Sequence, residues 1–134
     1  MASTSEVKRD AVAWVGQDEA FKKAIQLLQA FNLPGGILPL QNVIEVGFVR
    51  ATGYMWILLK NNIEHEFQTI GKVLSYSTEI SGYLERNRIK NLTGVKAKEL
   101  LYKAPVLEIS VEGSKITFKS NGGLSKTFPI EAFR

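Results

Sequence analysis

The sequence predicts a mainly β domain, a small antiparallel β-barrel of about nine strands with one N-terminal α-helix. Three observations predict it. Apolar residues recur at helical spacing only once, near the N-terminus. From Val43 onward the apolar period drops from 3.6 to 2. Turn residues then punctuate the chain at spacings of roughly 8–12 residues, too short for anything but hairpin connections and therefore for antiparallel pairing.

Taken in order, residues 1–16 read as a flexible lead-in to a single domain over 17–134, with Trp14 and Val15 as candidates to dock on it. Asp18 fits an N-cap or a first-turn acid. Phe21, Ala24, Ile25, Leu28 and Phe31 form one apolar stripe of a helix over about 19–31. Asn32-Leu33-Pro34-Gly35-Gly36 ends it, because Asn or Gly takes a left-handed cap and proline cannot continue a helix. Ile44, Val46 and Phe48 then alternate with Glu45 and Gly47. Ala51-Thr52-Gly53 is a turn, and residues 54–59, apolar on both faces, suit a central strand. Asn61-Asn62 is expected to turn the chain again, after which Ile63, His65 and Phe67 alternate with Glu64, Glu66 and Gln68. The acids mark the wet face.

Gly71-Lys72 is the next turn, followed by two short strands, Val73–Tyr76 and Ile80–Glu85. In the turn after them Asn87 can accept a positive φ. Residues 89–102 are ambiguous. The pattern breaks at Thr93-Gly94 as at a β-bulge, and Ala97–Leu101 could form a helical turn, but strands on both sides favour a strand. Leu107, Ile109 and Val111 alternate cleanly, Gly113-Ser114 makes a tight hairpin to Ile116 and Phe118, and Asn121-Gly122-Gly123 turns into a last strand carrying Phe128 and Ile130.

The 134 residues suit one domain large enough for its own core. The absence of cysteine excludes disulfides, thiolate metal sites and cysteine nucleophiles together, and fits a reducing compartment. The first twenty residues hold no apolar core for a signal peptide, and no segment approaches the ~20 apolar residues of a membrane span, so the expected location is cytoplasmic, with nuclear access. Outside secretion, the sequon at Asn91-Leu92-Thr93 is a coincidence. The 17 basic side chains against 13 acidic ones permit an anionic partner without demanding one.

Several stretches in one order carry a resemblance: Asn32-Leu33-Pro34, Leu38-Pro39, Glu64-His65-Glu66-Phe67, the run from Ile89 through Thr93-Gly94 to Leu101, and Ile116–Lys119 with Gly123–Pro129 and Ala132-Phe133. From about Ala20 to the C-terminus the chain resembles the plant family called domain of unknown function 538. The resemblance implies a plant protein, a compact β-barrel with an N-terminal helix, and a part in stress or developmental responses. It also implies two activities suggested for the family, lipid binding of the bactericidal-permeability type and ester hydrolysis. This sequence departs from many members in lacking a secretory leader and in having Ile63 where a cysteine commonly precedes the Glu-His pair.

His65 is the only histidine. Alternation puts it on the inward face, so the plainer expectation is a buried histidine bonded to backbone. The functional alternative is a general base or pH switch. A serine hydrolase would also need a nucleophile and an acid, yet there is no Gly-x-Ser-x-Gly elbow and the only aspartates, Asp10 and Asp18, lie in or before the helix. With one histidine and dispersed carboxylates no metal is expected, and neither Gly35-Gly36 nor Gly122-Gly123 forms a phosphate loop, so no cofactor is expected either.

The strongest surface feature is a basic run, Arg86, Arg88, Lys90, Lys96, Lys98 and Lys103, diluted only by Glu85 and Glu99. Two paired strands could gather it into a patch for phosphates or anionic headgroups. The plainer alternative is a solvated lysine face that keeps a sheet edge soluble. Nucleic acid is disfavoured against lipid because no strand interleaves aromatic and basic residues. Phe21, Phe31, Phe48, Trp56, Phe67, Phe118 and Phe128 are expected mostly inward, in a barrel that either fills with side chains or holds a small apolar ligand. The leading expectation is a non-enzymatic binding protein for an anionic or amphipathic lipid or a membrane surface. The alternatives are a protein-interaction scaffold without small ligand and a weak ester hydrolase using His65.

Overall fold

The structure, a computed structural model, describes residues 11–38 and 41–134. Residues 1–10, most of the expected lead-in and Asp10 with it, and Pro39 of the Leu38-Pro39 stretch lie outside the described residues. The helix α1 spans Gln17–Ala30. Ala20, Ala24 and Leu28, one turn apart on the stripe, are fully buried, and Phe21, Leu27 and Phe31 pack beside them. Gly16 precedes the helix with φ 97° and offers no capping side chain, so Asp18 acts as a first-turn acid beside Glu19, at the positive end of the helix dipole.

The other end closes as a Schellman motif. Asn32 takes φ 61°, its N–H bonds the carbonyl of Gln29 at 3.0 Å, and the Leu33 N–H bonds that of Leu28 at 2.9 Å. Leu28 and Leu33 are both buried, which supplies the apolar contact of that motif.

Among the described residues nine strands make one antiparallel sheet: β1 (Val12–Val15), β2 (Val43–Val49), β3 (Tyr54–Leu59), β4 (Ile63–Phe67), β5 (Lys72–Glu85), β6 (Arg88–Lys98), β7 (Lys103–Glu112), β8 (Lys115–Ser120) and β9 (Ser125–Pro129). The order is β1-β2-β3-β5-β6-β7-β8-β9, with β4 alongside β5. The terminal strands β1 and β9 do not pair with each other, so the sheet stays open where a closed barrel was expected. One core nevertheless takes residues from α1, from β2 through β8 and from the C-terminal turn Ile130–Phe133. That turn meets the turn Gly35–Ile37 backbone to backbone: a Cβ on Gly36 would stand 2.2 Å from the Phe133 carbonyl oxygen. The buried Tyr76 hydroxyl donates to the Ile37 carbonyl at 2.7 Å, and burial pushes its pKa well above the ordinary phenol value.

Six local expectations change. Ile130, expected on the last strand, begins the turn Ile130–Phe133 because β9 ends at Pro129. Val12–Val15, at the end of the expected lead-in, is a strand in register with Glu45–Phe48. Asn61-Asn62 does not reverse the chain. β3 and β4 lie along the same edge of β5 as one interrupted strand, and the Asn62 side chain accepts a bond from the Thr78 N–H at 3.0 Å where the ladder breaks. The two short strands of 73–85 are one 14-residue strand with an irregularity between Tyr76 and Ser81. A register shift between Val43 and Glu45 turns Ile44 outward, 47% exposed. Trp56 belongs to the outer face, outside the core cluster. It lies over Gly47, where a Cβ would sit 2.0 Å from its ring, and its indole N–H donates to Glu45 at 2.7 Å.

The ambiguous stretch resolves as a strand through Lys98. Its break is a local rewinding, with Asn91 at φ 51° and Gly94 at φ 84°. Inward positions accordingly fall at Ile89, Leu92, Val95 and Ala97, three apart before two apart. A side chain at Gly94 would strike the Glu79 carbonyl, so the bend needs glycine there.

Candidate functional site

The basic run does not form one patch. Arg88, Lys90, Lys96 and Lys98 all lie on β6, so its two halves stand toward opposite ends of that strand; the seven-residue step along β7 between their partners Ser110 and Lys103 puts Arg88 and Lys98 roughly 23 Å apart. At the near end Arg88 and Lys90 both hold Glu85, Arg88 at 2.9 Å, and Arg88 also lies 3.9 Å from Glu108. Hydrogen bonds from Lys90 and then Arg88 hold the Glu85 carboxyl below the usual range. Arg86 sits in the turn between β5 and β6. At the far end Lys98 pairs in register with Lys103, and both face Glu64, at 3.9 and 3.0 Å. The Lys103 hydrogen bond, helped by both lysines' charge, lowers the Glu64 pKa. Lys96 is exposed on the same face as Lys98 and has no ion-pair partner among the described residues.

His65 is exposed rather than buried. Its parity is as expected, on the side of Phe67, whose ring it meets edge-on at 4.7 Å, but among the described residues β4 pairs only with β5, and position 65 is exposed. Among the described residues no hydroxyl or carboxylate hydrogen-bonds to it.

A cavity of about 130 Å³ opens at the far end of β6. Its wall is apolar: Phe67, Leu74, Ala104, Val106, Phe118 and Phe133. The Phe133 ring fixes the back, 4.6 Å from Phe67 and 5.1 Å from Phe118, and Phe128 stands 5.9 Å from Phe118. The sequence left open whether the interior is filled or holds a cavity; at this end the aromatics line one.

The mouth is charged. Lys72, Lys119 and Lys126 border it with Glu99, Tyr102 and Leu124. Lys126 on β9 bonds both oxygens of Glu99, at 2.9 and 3.0 Å, linking β9 to the end of β6. That bond holds the Glu99 pKa below its usual value and raises that of Lys126. Lys119 lies 3.5 Å from Glu108, the carboxylate that Arg88 also approaches.

Beside the mouth, residues 99–102 connect β6 to β7. The Glu99 N–H donates to the Tyr102 carbonyl at 2.7 Å, which closes the tip. Leu100 and Leu101 are 96% and 90% exposed, with Tyr102 and Leu124 exposed nearby. Of the site residues proposed from the sequence, Lys96, Lys98 and Lys103 lie at this end, with His65 outside the cavity against the lining Phe67. Sequence reasoning missed Lys72, Lys119 and Lys126, which come from three separate strands. It also passed over Leu100-Leu101-Tyr102, an apolar triplet that alternation does not explain.

No helix among the described residues is long and apolar enough to cross a membrane. No solved structure matches the chain. An uncharacterized protein of Arabidopsis thaliana, At5g01610, is 27% identical over 108 residues. The match covers 81% of this chain but only 61% of that protein's length. The profile described as "Protein of unknown function, DUF538" matches residues 24–134, from the second half of α1 through every element that builds the cavity, and the chain therefore belongs to the DUF538 family.

Proposed function

We propose that the domain is a non-enzymatic binding module for an anionic amphipathic ligand of the lipid class. The apolar part of the ligand enters the cavity, and its anionic group rests among Lys72, Lys119 and Lys126. The observation that carries this reading is an apolar cavity whose mouth is bordered by three lysines against two carboxylates, Glu99 on Lys126 and Glu108 on Lys119. Apolar walls reward burial of hydrocarbon, and cations at a low-dielectric rim hold an anion better than they would in open water. The size limits the occupant. A cavity near 150 Å³ accepts a single ring, so about 130 Å³ seats the end of a chain or a short chain and not a whole lipid. A cytoplasmic site of action belongs to the same proposal and rests on the absence of cysteine.

Calorimetric titration with linear alkyl phosphates tests the reading. Affinity is expected to rise about fourfold per methylene, the equivalent of roughly 0.8 kcal/mol, and to stop rising once the cavity is full. Ala97→Leu or Ala104→Leu, each adding volume to the wall, should remove the dependence on chain length. Affinity independent of chain length in the unmodified protein would overturn the proposal.

A scaffold role draws on a different observation: among the described residues no further strand pairs with the outer edges of β1 and β9, which suits strand addition. Ester hydrolysis by His65 draws no support from its surroundings.

A further inference from the structure

We infer that the connection between β6 and β7 is a membrane-docking finger, inserting Leu100 and Leu101 into the surface of an anionic bilayer. The tip stands outside the cavity, since neither leucine lines it, while Tyr102, Leu124 and the lysines of the mouth border both.

The two leucines are consecutive, almost fully exposed and at the tip of a hairpin closed by the Glu99–Tyr102 backbone bond. A closed tip is already in its binding conformation, so little ordering entropy opposes insertion. Tyr102 follows, an amphipathic ring suited to the headgroup level. Leu124, 62% exposed on the turn before β9, adds apolar surface across the mouth.

Directly behind the tip stand the cations. Lys98 and Lys103 face each other at the root of the hairpin, and Lys96 shares their face. Lys126 reaches the same root through Glu99, and Lys72 and Lys119 complete the border of the mouth. Glu64, Glu99 and Glu108 offset part of this charge and leave lysine in excess. An apolar point backed by cations matches a bilayer carrying anionic lipid: the point enters the boundary between headgroups and chains while the lysines meet the headgroups. A protein partner fits less well, because three side chains on a narrow tip expose well under the ~800 Å² per partner of a stable protein interface.

The test is co-sedimentation of the full chain with phosphatidylcholine vesicles, with and without phosphatidylserine, alongside the double variant Leu100→Ser/Leu101→Ser. The expected result is binding to the anionic vesicles, weakened by salt, and a loss of roughly tenfold or more in the variant. Neither leucine is buried, so the variant should fold with an unchanged melting temperature. In Leu101→Trp, the tryptophan emission should shift to the blue when anionic vesicles are added.

Equal binding by the Ser/Ser variant, equal binding to vesicles without phosphatidylserine, or an unmoved Leu101→Trp emission would each overturn the inference. So would self-association that the Ser/Ser variant abolishes in the absence of any vesicle binding, which would assign the tip to a second copy of the chain. Ala104→Leu, altered in alkyl phosphate binding, should sediment like the unmodified protein, so the cavity reading and the finger fail separately.

Discussion

At its Arg88 end, β6 is fastened. The turn before it donates the Asn87 N–H to the Phe31 carbonyl at the end of α1 and accepts the Val111 N–H from β7, both at 2.8 Å. The Asn32 side chain donates to that of Asn87. Arg88 and Lys90 share Glu85. At the Lys98 end the strand runs into a tip that exposes two leucines beside an apolar cavity, and one glutamate serves both Lys98 and Lys103. Basic residues at the first end belong to a local network that locks turn, helix and sheet together. Those at the second surround apolar surface that the fold does not use. A run of like charges in a sequence can thus divide into a structural half and a half left for a partner.

The sharpest way to break this comparison is at the fastened end. Leu28→Ala removes a fully buried side chain from the Schellman motif and should cost about 2–5 kcal/mol in urea denaturation. The folded fraction should still bind alkyl phosphate. Loss of binding in protein shown to be folded would couple the two ends, against the division drawn above.

Asn87→Ala comes next. Its φ of 65° disfavours any residue with a Cβ unless a short polar side chain compensates, so the variant should lose about 1–2 kcal/mol, and Asn87→Gly less. Equal stability of Ala and Gly at this position would argue against the left-handed turn.

A smaller effect is expected from the Glu99–Lys126 link, which is largely exposed. The Glu99 pKa is depressed in the folded state, so its contribution is present above the ordinary glutamate value near 4.5 and is lost as pH falls through the depressed value. The Lys126 pKa is raised, so its contribution is present below about 10.5 and is lost as pH rises through the raised value. The stability difference between the unmodified protein and Glu99→Gln should therefore be confined to that window and vanish in acid. A difference that persists unchanged at low pH would exclude the ion pair as its source. The smallest change in stability belongs to Leu100→Ser/Leu101→Ser, within about 0.5 kcal/mol; a marked destabilisation would mean that the tip packs on the domain.

Much of the fold was legible because period and turn chemistry are local. The apolar stripe of α1, the left-handed Asn32 and Asn87, and the hairpin at Gly113-Ser114 follow from residues near one another in sequence. What was misread depends on partners far along the chain. Ile44 turns outward because β2 shifts register against β3. Asn61-Asn62 looks like a reversal but only interrupts a strand whose direction β5 sets. Trp56 lies on the outer face because Gly47, nine residues earlier and opposite it in register, makes room for its ring. His65 has inward parity, yet being covered requires a neighbouring strand that an edge strand lacks. The site was less legible still. Lys72, Lys119 and Lys126 are unremarkable in sequence and meet only because β5, β8 and β9 end together. The one local clue was the triplet at 100–102, charged on both sides and out of phase with either period.

The most direct test of the central claim is an amide NMR titration of the unmodified protein with hexyl phosphate, with hexanol and inorganic phosphate as separate controls. The expected result is saturable shifts at Leu74, Val106, Phe118, Lys126 and Phe133, strongest with hexyl phosphate and weak with either control. Shifts centred on Arg88 and Lys90, or no saturable shift at the cavity, would contradict it.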